Sequence, residues 1–352
     1  MTTSGLRARV WTGPAGSGLP AVTAAVRVAL APGMPPMHAP RHMNRSVTLA
    51  LAVTTSLLIA RSAAADTRSW TAVKKVIGKG DTTVVGIDLA RLRTTGAFQA
   101  GLQLMLSSEE EAKQVFDTVK SSCGFDMLAV VSDLTIVMQD GDDNPLIAFG
   151  LDGVDEAKVV SCMGSVAGAM TGMPSPKLTG KKIGKLTEYS VKGEKKKLYA
   201  AWLAKDVLVF TDDANDKAKL TKRLAGKGAT GDLARFIGKT SPASPFWFAV
   251  AKKDKEDGRT ILGGSAKVDL TAGVFKAAGA LVMSKPNEAS ELVTEAVAGL
   301  AEVKKEIGAK SPEMGRALTT MVIAAVGADV QISGAISDTD LATLIPQLDK
   351  LF

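Results

Sequence analysis

The chain has 352 residues, with 43 lysines and arginines against 36 aspartates and glutamates, a net charge of +7 and an isoelectric point near 9.2. That basicity sits at one end. Residues 1–65 hold six arginines (Arg7, Arg9, Arg27, Arg41, Arg45, Arg61) and no acid, so the 287 residues from Asp66 to Phe352 carry 37 basic against 36 acidic side chains, close to +1. A body so near neutrality lacks the basic stripe that displaces counterions from nucleic acid, which argues against that class of partner.

Met43-Asn44-Arg45 is a short basic head, Val47 to Ala60 an uncharged and mostly apolar run, and Ala63-Ala64-Ala65 a small-x-small site just before Asp66. This is the pattern of a Sec-type signal peptide, with Ala63 and Ala65 as the recognised small residues and Asp66 as the first residue after cleavage. The core is shorter than the roughly 20 residues of a membrane span, and Arg61 closes it. No cysteine follows the core, so a lipoprotein is not expected, and no Arg-Arg pair precedes it. Residues 1–42, rich in Gly, Pro, Ala and Arg, read as a misassigned upstream start or a non-structural leader, with Met43 as the true start. An organellar transit peptide is the rival reading, but it accounts less well for the apolar core that follows. Cleavage also removes both histidines, His38 and His42. Without imidazole, Ser-His-Asp and Cys-His catalysis, HExxH zinc sites and two-histidine iron sites are not available to the rest of the chain.

Beyond Asp66 the periodicity is mixed. Val84–Leu89 has the β-branched content of a strand, and Ala97–Leu106 is an apolar helix. Ser107 or Ser108, with Glu110 and Glu111 three residues on, predicts a capped second helix. Leu134–Met138 and Leu146–Leu151 flank Asp140-Gly141-Asp142-Asp143 as a β-hairpin. Asp152 and Asp155 open a helix through Val160 and Val166. Leu186–Val191, Leu198–Leu203 and Val207–Thr211 form an antiparallel meander, closed by a basic helix over Lys217–Leu224. Phe246–Ala251 and Ser265–Leu270 are further strands. In Asn287–Ile307 the residues Leu292, Val293, Ala296, Val297, Leu300, Val303 and Ile307 share one helical face. Ser311-Pro312-Glu313 starts another helix, Val330–Ile336 alternates as a strand, and Ser337-Asp338-Thr339-Asp340 caps a last helix that Pro346 keeps short or kinked.

Two stretches echo one another. Ile87-Asp88-Leu89 precedes Gly96-Ala97-Phe98, and Val268-Asp269-Leu270 precedes Gly273-Val274-Phe275. Read as strand then Gly-x-Phe helix in each case, they predict an α+β fold. It would have two similar strand-helix-helix-strand-helix units, about residues 80–170 and 262–350, joined by the meander and framing a shared groove. In domain terms, 1–42 is leader, 43–65 signal peptide, 66–255 the first unit with the meander, and 256–352 the second unit.

The chain's two cysteines, Cys123 and Cys162, read as a disulfide in an exported protein. The Asp140–Asn144 run lacks the ligand spacing of a twelve-residue calcium loop and reads as a solvated turn. Lys195-Lys196-Lys197, with Lys192 and Glu194, reads as a charged turn that guards a sheet edge, or as a contact for anionic lipid or polysaccharide. Trp202, Trp247, Phe246 and Phe248 fall among aliphatic strand residues, as core aromatics do. Leu102–Met105, Ala280–Met283 and Leu318–Val326 read as Met/Ala/Gly-rich helices that pack in a core or line an adaptable apolar cavity.

No cofactor, metal ligand or catalytic residue follows from this pattern, and the binding residues are not specified. The expected function is that of an exported binding or envelope-interaction protein without catalysis. It would act in the periplasm or outside the cell, with an envelope protein or an apolar small molecule as partner and no transmembrane anchor after cleavage. The alternatives are a periplasmic carrier of lipid or another apolar ligand, and a carboxylate-based enzyme. For the enzyme, Asp88 and Asp269 would be the first suspects, although an aspartate at a strand end commonly caps the next turn.

Overall fold

The computed structural model describes residues 66–140, 145–171, 176–191, 195, 197–211, 214–256 and 258–347. The expected leader and signal peptide, most of the Asp140–Asn144 turn, and Lys192, Glu194 and Lys196 of the lysine run lie outside the described residues.

Helix α1 (Arg68–Val73) leads into strand β1 (Asp81–Ile87). Three helices follow, α2 (Leu89–Leu92), α3 (Gly96–Ser108) and α4 (Glu110–Cys123), then α5 (Met127–Val130), β2 (Val131–Gln139), β3 (Leu146–Leu151) and α6 (Glu156–Thr171). The meander has four strands: β4 (Leu178–Ile183), β5 (Leu186–Val191), β6 (Lys197–Ala204) and β7 (Val207–Thr211). Helices α7 (Lys217–Arg223) and α8 (Gly231–Lys239) precede β8 (Phe246–Val250), β9 (Asp254–Glu256), β10 (Arg259–Thr271) and β11 (Val274–Met283). The long α9 (Pro286–Lys310), then α10 (Pro312–Thr319), β12 (Val322–Val326), β13 (Asp329–Ser337) and α11 (Asp338–Leu344) complete the order.

All the strands join one antiparallel sheet in the order β12-β13-β11-β10-β8-β1-β2-β3-β7-β6-β5-β4, with β9 beside the start of β10. The fold is therefore α+β with a large antiparallel sheet. Register decides what each face buries, because side chains paired across antiparallel strands point the same way. Gly86 sits opposite Thr135 and Trp247, and Val84 opposite Val137 and Ala249. This face, continued by Ala148, Val209 and Ala201, is buried with Trp70 and Val73 of α1, Leu220 of α7, and Leu233 and Phe236 of α8. On the other face, Leu208 and Phe210 of β7 and Val160 and Met163 of α6 pack around Tyr189, Leu198 and Ala200. Far along the sheet, Ile332, Val330 and Leu281 meet Leu300 and Val303 of α9. Of the face expected on α9, Val297 departs, being 46% exposed.

Polar groups fasten the helices to the sheet. The Ser69 N–H donates to Asp133 Oδ1 at 2.7 Å, and Ser132 Oγ to Asp133 Oδ2 at 2.7 Å. The N-terminal N–H groups of α3, from Gly96 and Ala97, donate to the two carboxylate oxygens of Asp338 at 2.7 and 2.8 Å, so the first turn of α11 holds α3 by its positive end. Cys123, the last residue of α4, is disulfide-bonded to Cys162 of α6, 39 residues on. Closing a loop of that size stabilises by about 4 kcal/mol in the chain-entropy account.

Several expectations change. Ser107 and Ser108 do not cap α4: their hydroxyls donate back to Leu104 O and Met105 O, inside α3, and Glu109 stands at the start of α4. Asp155 caps α6 through Lys158 N, whereas Asp152 pairs with Arg68. The Gly273-Val274-Phe275 stretch is not a helix. Ala272 and Gly273 have φ of +49° and +72° and turn β10 straight back into β11, so Ala280–Met283 is strand as well. Within Leu318–Val326 the helix ends at Thr319, and β12 begins at Val322. Neither half keeps the expected strand-helix-helix-strand-helix order: four helices stand between β1 and β2, and the second half opens with the β10–β11 hairpin. The paired stretches differ in conformation, and the meander occupies one end of the sheet instead of joining the halves. The join is β8, hydrogen-bonded to β1 on one side and β10 on the other.

Candidate functional site

A groove of about 770 Å³ runs between α6 and the β4–β5 hairpin, within the range of small-molecule sites. Its helical wall is Glu156, Ala157, Val160, Ser161, Gly164 and Ser165, and its sheet side includes Leu178, Gly180, Lys182, Thr187 and Tyr189. Two glycines set its shape. A Cβ on Gly164 would lie 2.7 Å from the Pro176 carbonyl oxygen, and one on Gly180 would lie 3.2 Å from the Tyr189 ring.

Polar groups converge on its floor. Glu156 stands in the first turn of α6, where a carboxylate is favoured by the helix dipole. Its Oε1 accepts from Thr187 Oγ1 at 2.9 Å and from the Tyr189 hydroxyl at 3.0 Å. Trp202 Nε1 in turn donates to the Tyr189 oxygen at 2.9 Å, and Lys182 Nζ lies 3.5 Å from Glu156 Oε2. Burial, with the Glu156 charge beside it, pushes the Tyr189 hydroxyl up to about 12, so it stays a neutral donor at any physiological pH. The aligned chain Trp202, Tyr189, Glu156 holds one carboxylate in a fixed orientation at the groove wall.

The surrounding edge is strongly cationic. Residues 176–197 contain eight lysines and two glutamates, against a balance near +1 for the whole of 66–352. Lys177, Lys181, Lys182 and Lys185 are exposed. Lys197 bonds Glu188 Oε1 at 2.7 Å, which holds the Glu188 carboxyl below the ordinary range.

No family model and no curated protein matches this chain. Among solved structures, crystal form III of TP0453 aligns with a TM-score of 0.43 and 11% identity, covering 77% of this chain and 96% of that one. Crystal form I gives 0.40 and 10%, over 80% and 97%. Likeness at this level carries no argument about function.

The two aspartates singled out in the sequence are structural groups. Asp88 caps α2 through Arg91 N at 3.0 Å. Asp269 accepts from Ser244 Oγ at 2.6 Å and pairs with Lys267 at 2.7 Å. They flank the same end of β8, since Ile87 and Val268 both pair with Phe246, but each is committed to its own partners. Burial raises the Asp88 carboxyl above the ordinary value of 3.8, against the Arg91 N–H and guanidinium, and the Asp133 charge adds to the rise. A raised folded pKa means that ionisation disfavours the fold as pH rises through it. Asp88→Asn keeps the cap without the charge, so it should match or slightly exceed the parent in stability at pH 7. That difference should vanish below pH 3.8. Asp88→Ala should lose about 1 kcal/mol at either pH. Urea unfolding of both variants at the two pH values checks this.

Trp247 is fully buried, with its ring centroid 4.8 Å from that of Trp70. Trp202 belongs to the groove network, while Phe246 and Phe248 pack edge to face and stay half-buried. Sequence reasoning missed Glu156, Thr187 and Tyr189 as a site. The available signal was the Thr-x-Tyr alternation, which puts both on one strand face, together with the lysines on either side.

Proposed function

We propose that this chain is an exported binding protein without catalytic activity, acting in the periplasm or outside the cell. The ligand sits in the α6/β4–β5 groove. The observation that carries this reading is the fixed Glu156–Tyr189–Thr187 cluster on the wall of an open groove that Ala157, Val160, Pro176 and Leu178 also line with apolar surface. A few convergent polar groups in an apolar cleft orient a ligand. The exposed lysines at its margin favour a molecule with an apolar body and an anionic end. Export is supported by the Met43–Ala65 pattern, with cleavage between Ala65 and Asp66, and by the Cys123–Cys162 bridge, since disulfides persist in oxidising compartments. Among the described residues no helix is long and apolar enough to cross a membrane.

Ala157 is exposed and lines the groove, so Ala157→Trp should plug it while leaving the core intact. Native mass spectrometry of protein purified from its own cells should show a bound small molecule on the parent and none on Ala157→Trp. Adding that molecule back at 100 times its Kd should stabilise only the parent, by about 2.7 kcal/mol. A parent with nothing bound, or a plugged variant holding the same species, would overturn the reading.

A second reading, a carrier of lipid or another apolar ligand, is favoured by the middle of the sheet. Val85, Ile87, Ile136, Met138, Phe246 and Phe248 share the face that also bears α6 and α9, and all are half-buried. In that case Phe248→Arg, and not Ala157→Trp, would displace the ligand.

A further inference from the structure

The two edges of the sheet are built differently. β4, at one edge, reads Leu-Thr-Gly-Lys-Lys-Ile, with Lys181 and Lys182 exposed. Charged side chains on an edge strand, lysine above all, discourage pairing with another sheet. β12, at the other edge, reads Val-Ile-Ala-Ala-Val, and among the described residues it pairs only with β13. The stretch from Ala317 to Ala328 holds no charged residue and no proline. Val322 and Val326 are 55% and 56% exposed. An edge strand presents alternate N–H and C=O groups to whatever lies beside it, and here no charge guards them.

We infer that β12 is a dimerisation edge and that its occupant is β12 of a second copy, antiparallel across a two-fold axis through Ala324. The strand is self-complementary in that register. Val322 falls opposite the second copy's residue 326, Ile323 opposite 325, and Ala324 opposite its own equivalent. No like charges meet anywhere along the seam. Val322, Ala324 and Val326 share one face and Ile323 the other, where it packs in the cluster under α9. The pairing therefore stacks the exposed valines of the two copies against each other on the face away from α9, as β-branched cross-strand pairs. It merges the two sheets into one, and it closes at two copies, because the edges left free are the lysine-bearing β4 strands.

The test uses the full chain, purified from cells that export it. Sedimentation over a concentration series should show a dimer for the parent and for Ala324→Ser. Ala324→Lys puts two ammonium groups directly opposite each other and should halve the mass with an unchanged circular dichroism spectrum. Ala324→Cys keeps the test decisive if the lysine variant fails to fold. In the proposed register it should form an intermolecular disulfide through residue 324, since opposite Cα atoms in a sheet lie within bridging distance. A monomeric parent, an open-ended polymer, a dimer that survives Ala324→Lys, or a dimer of the Ala324→Cys variant that does not cross-link would each overturn the inference.

Discussion

Replacing Asp81 by alanine should cost the fold about 3–5 kcal/mol, the usual consequence of breaking a buried ion pair by removing one partner. Asp81 opens β1 and Arg223 closes α7, and their side chains are 3% and 2% exposed. Arg223 Nη1 reaches Asp81 Oδ1 at 2.6 Å, and its Nη2 donates to the Val137 carbonyl of β2 at 2.6 Å. The second carboxylate oxygen accepts from Gly78 N at 2.6 Å, in the turn that leads into β1. One ion pair thus ties together a helix end, two adjacent strands and a loop. A domain stable by about 5–15 kcal/mol in total cannot lose that amount without a marked drop in its urea midpoint. The pair as a whole need not be stabilising, because withdrawing two charges from water costs about as much as their attraction returns. The double variant Asp81→Leu, Arg223→Met should therefore recover most of the stability that Asp81→Ala loses. Equal losses in the single and double variants would show that packing at this corner, and not the broken ion pair, sets the cost.

How far the fold could be read in advance depended on how local the cause of each element was. Strands β1, β2 and β3 and the meander strands β5 to β7 declare themselves through β-branched or alternating residues, and α9 through its 3.6-residue stripe. The caps Asp155, Ser311 and Ser337 act within three residues of their own position and were legible for that reason. β11 was not. Val274–Met283 is rich in alanine and glycine, which carry no strand preference, and it is a strand because β10 and β13 hydrogen-bond it on both sides. The turn that makes this possible has residue 272 at positive φ, a position where alanine gives little warning. The place of the meander was equally hidden, because β7 pairs with β3 across some 60 residues of chain and no local pattern encodes that choice. The candidate site divides in the same way. The disulfide followed from a count of two cysteines in a chain whose sequence reads as exported. Glu156, by contrast, reads as an ordinary first-turn acid until α6 is laid over β5 and brings Thr187 and Tyr189 to it.

Gly86 should tolerate no side chain, although its backbone is ordinary strand. A Cβ added there would run into Trp247 Nε1 and Cε2 and would lie 2.7 Å from Cζ2. The indole cannot swing aside: it is fully buried, directly opposite Gly86 across β1 and β8, and set edge-on against Trp70. Trp247 lies flat over β1 because residue 86 has no side chain, and the close-packed interior leaves no space for even one more methyl group. Gly86→Ala should thus reach or exceed the upper end of the usual overpacking cost of about 1–3 kcal/mol, despite the better strand propensity of alanine. Trp247→Ala alone should cost about 3–5 kcal/mol through the cavity it opens. Combined, the two should fall well short of additive, since in the Trp247→Ala background the new methyl group fills space that the indole has vacated. A urea double-mutant cycle measures this coupling. If the two losses simply add, the contact between Gly86 and Trp247 is not what requires glycine at this position.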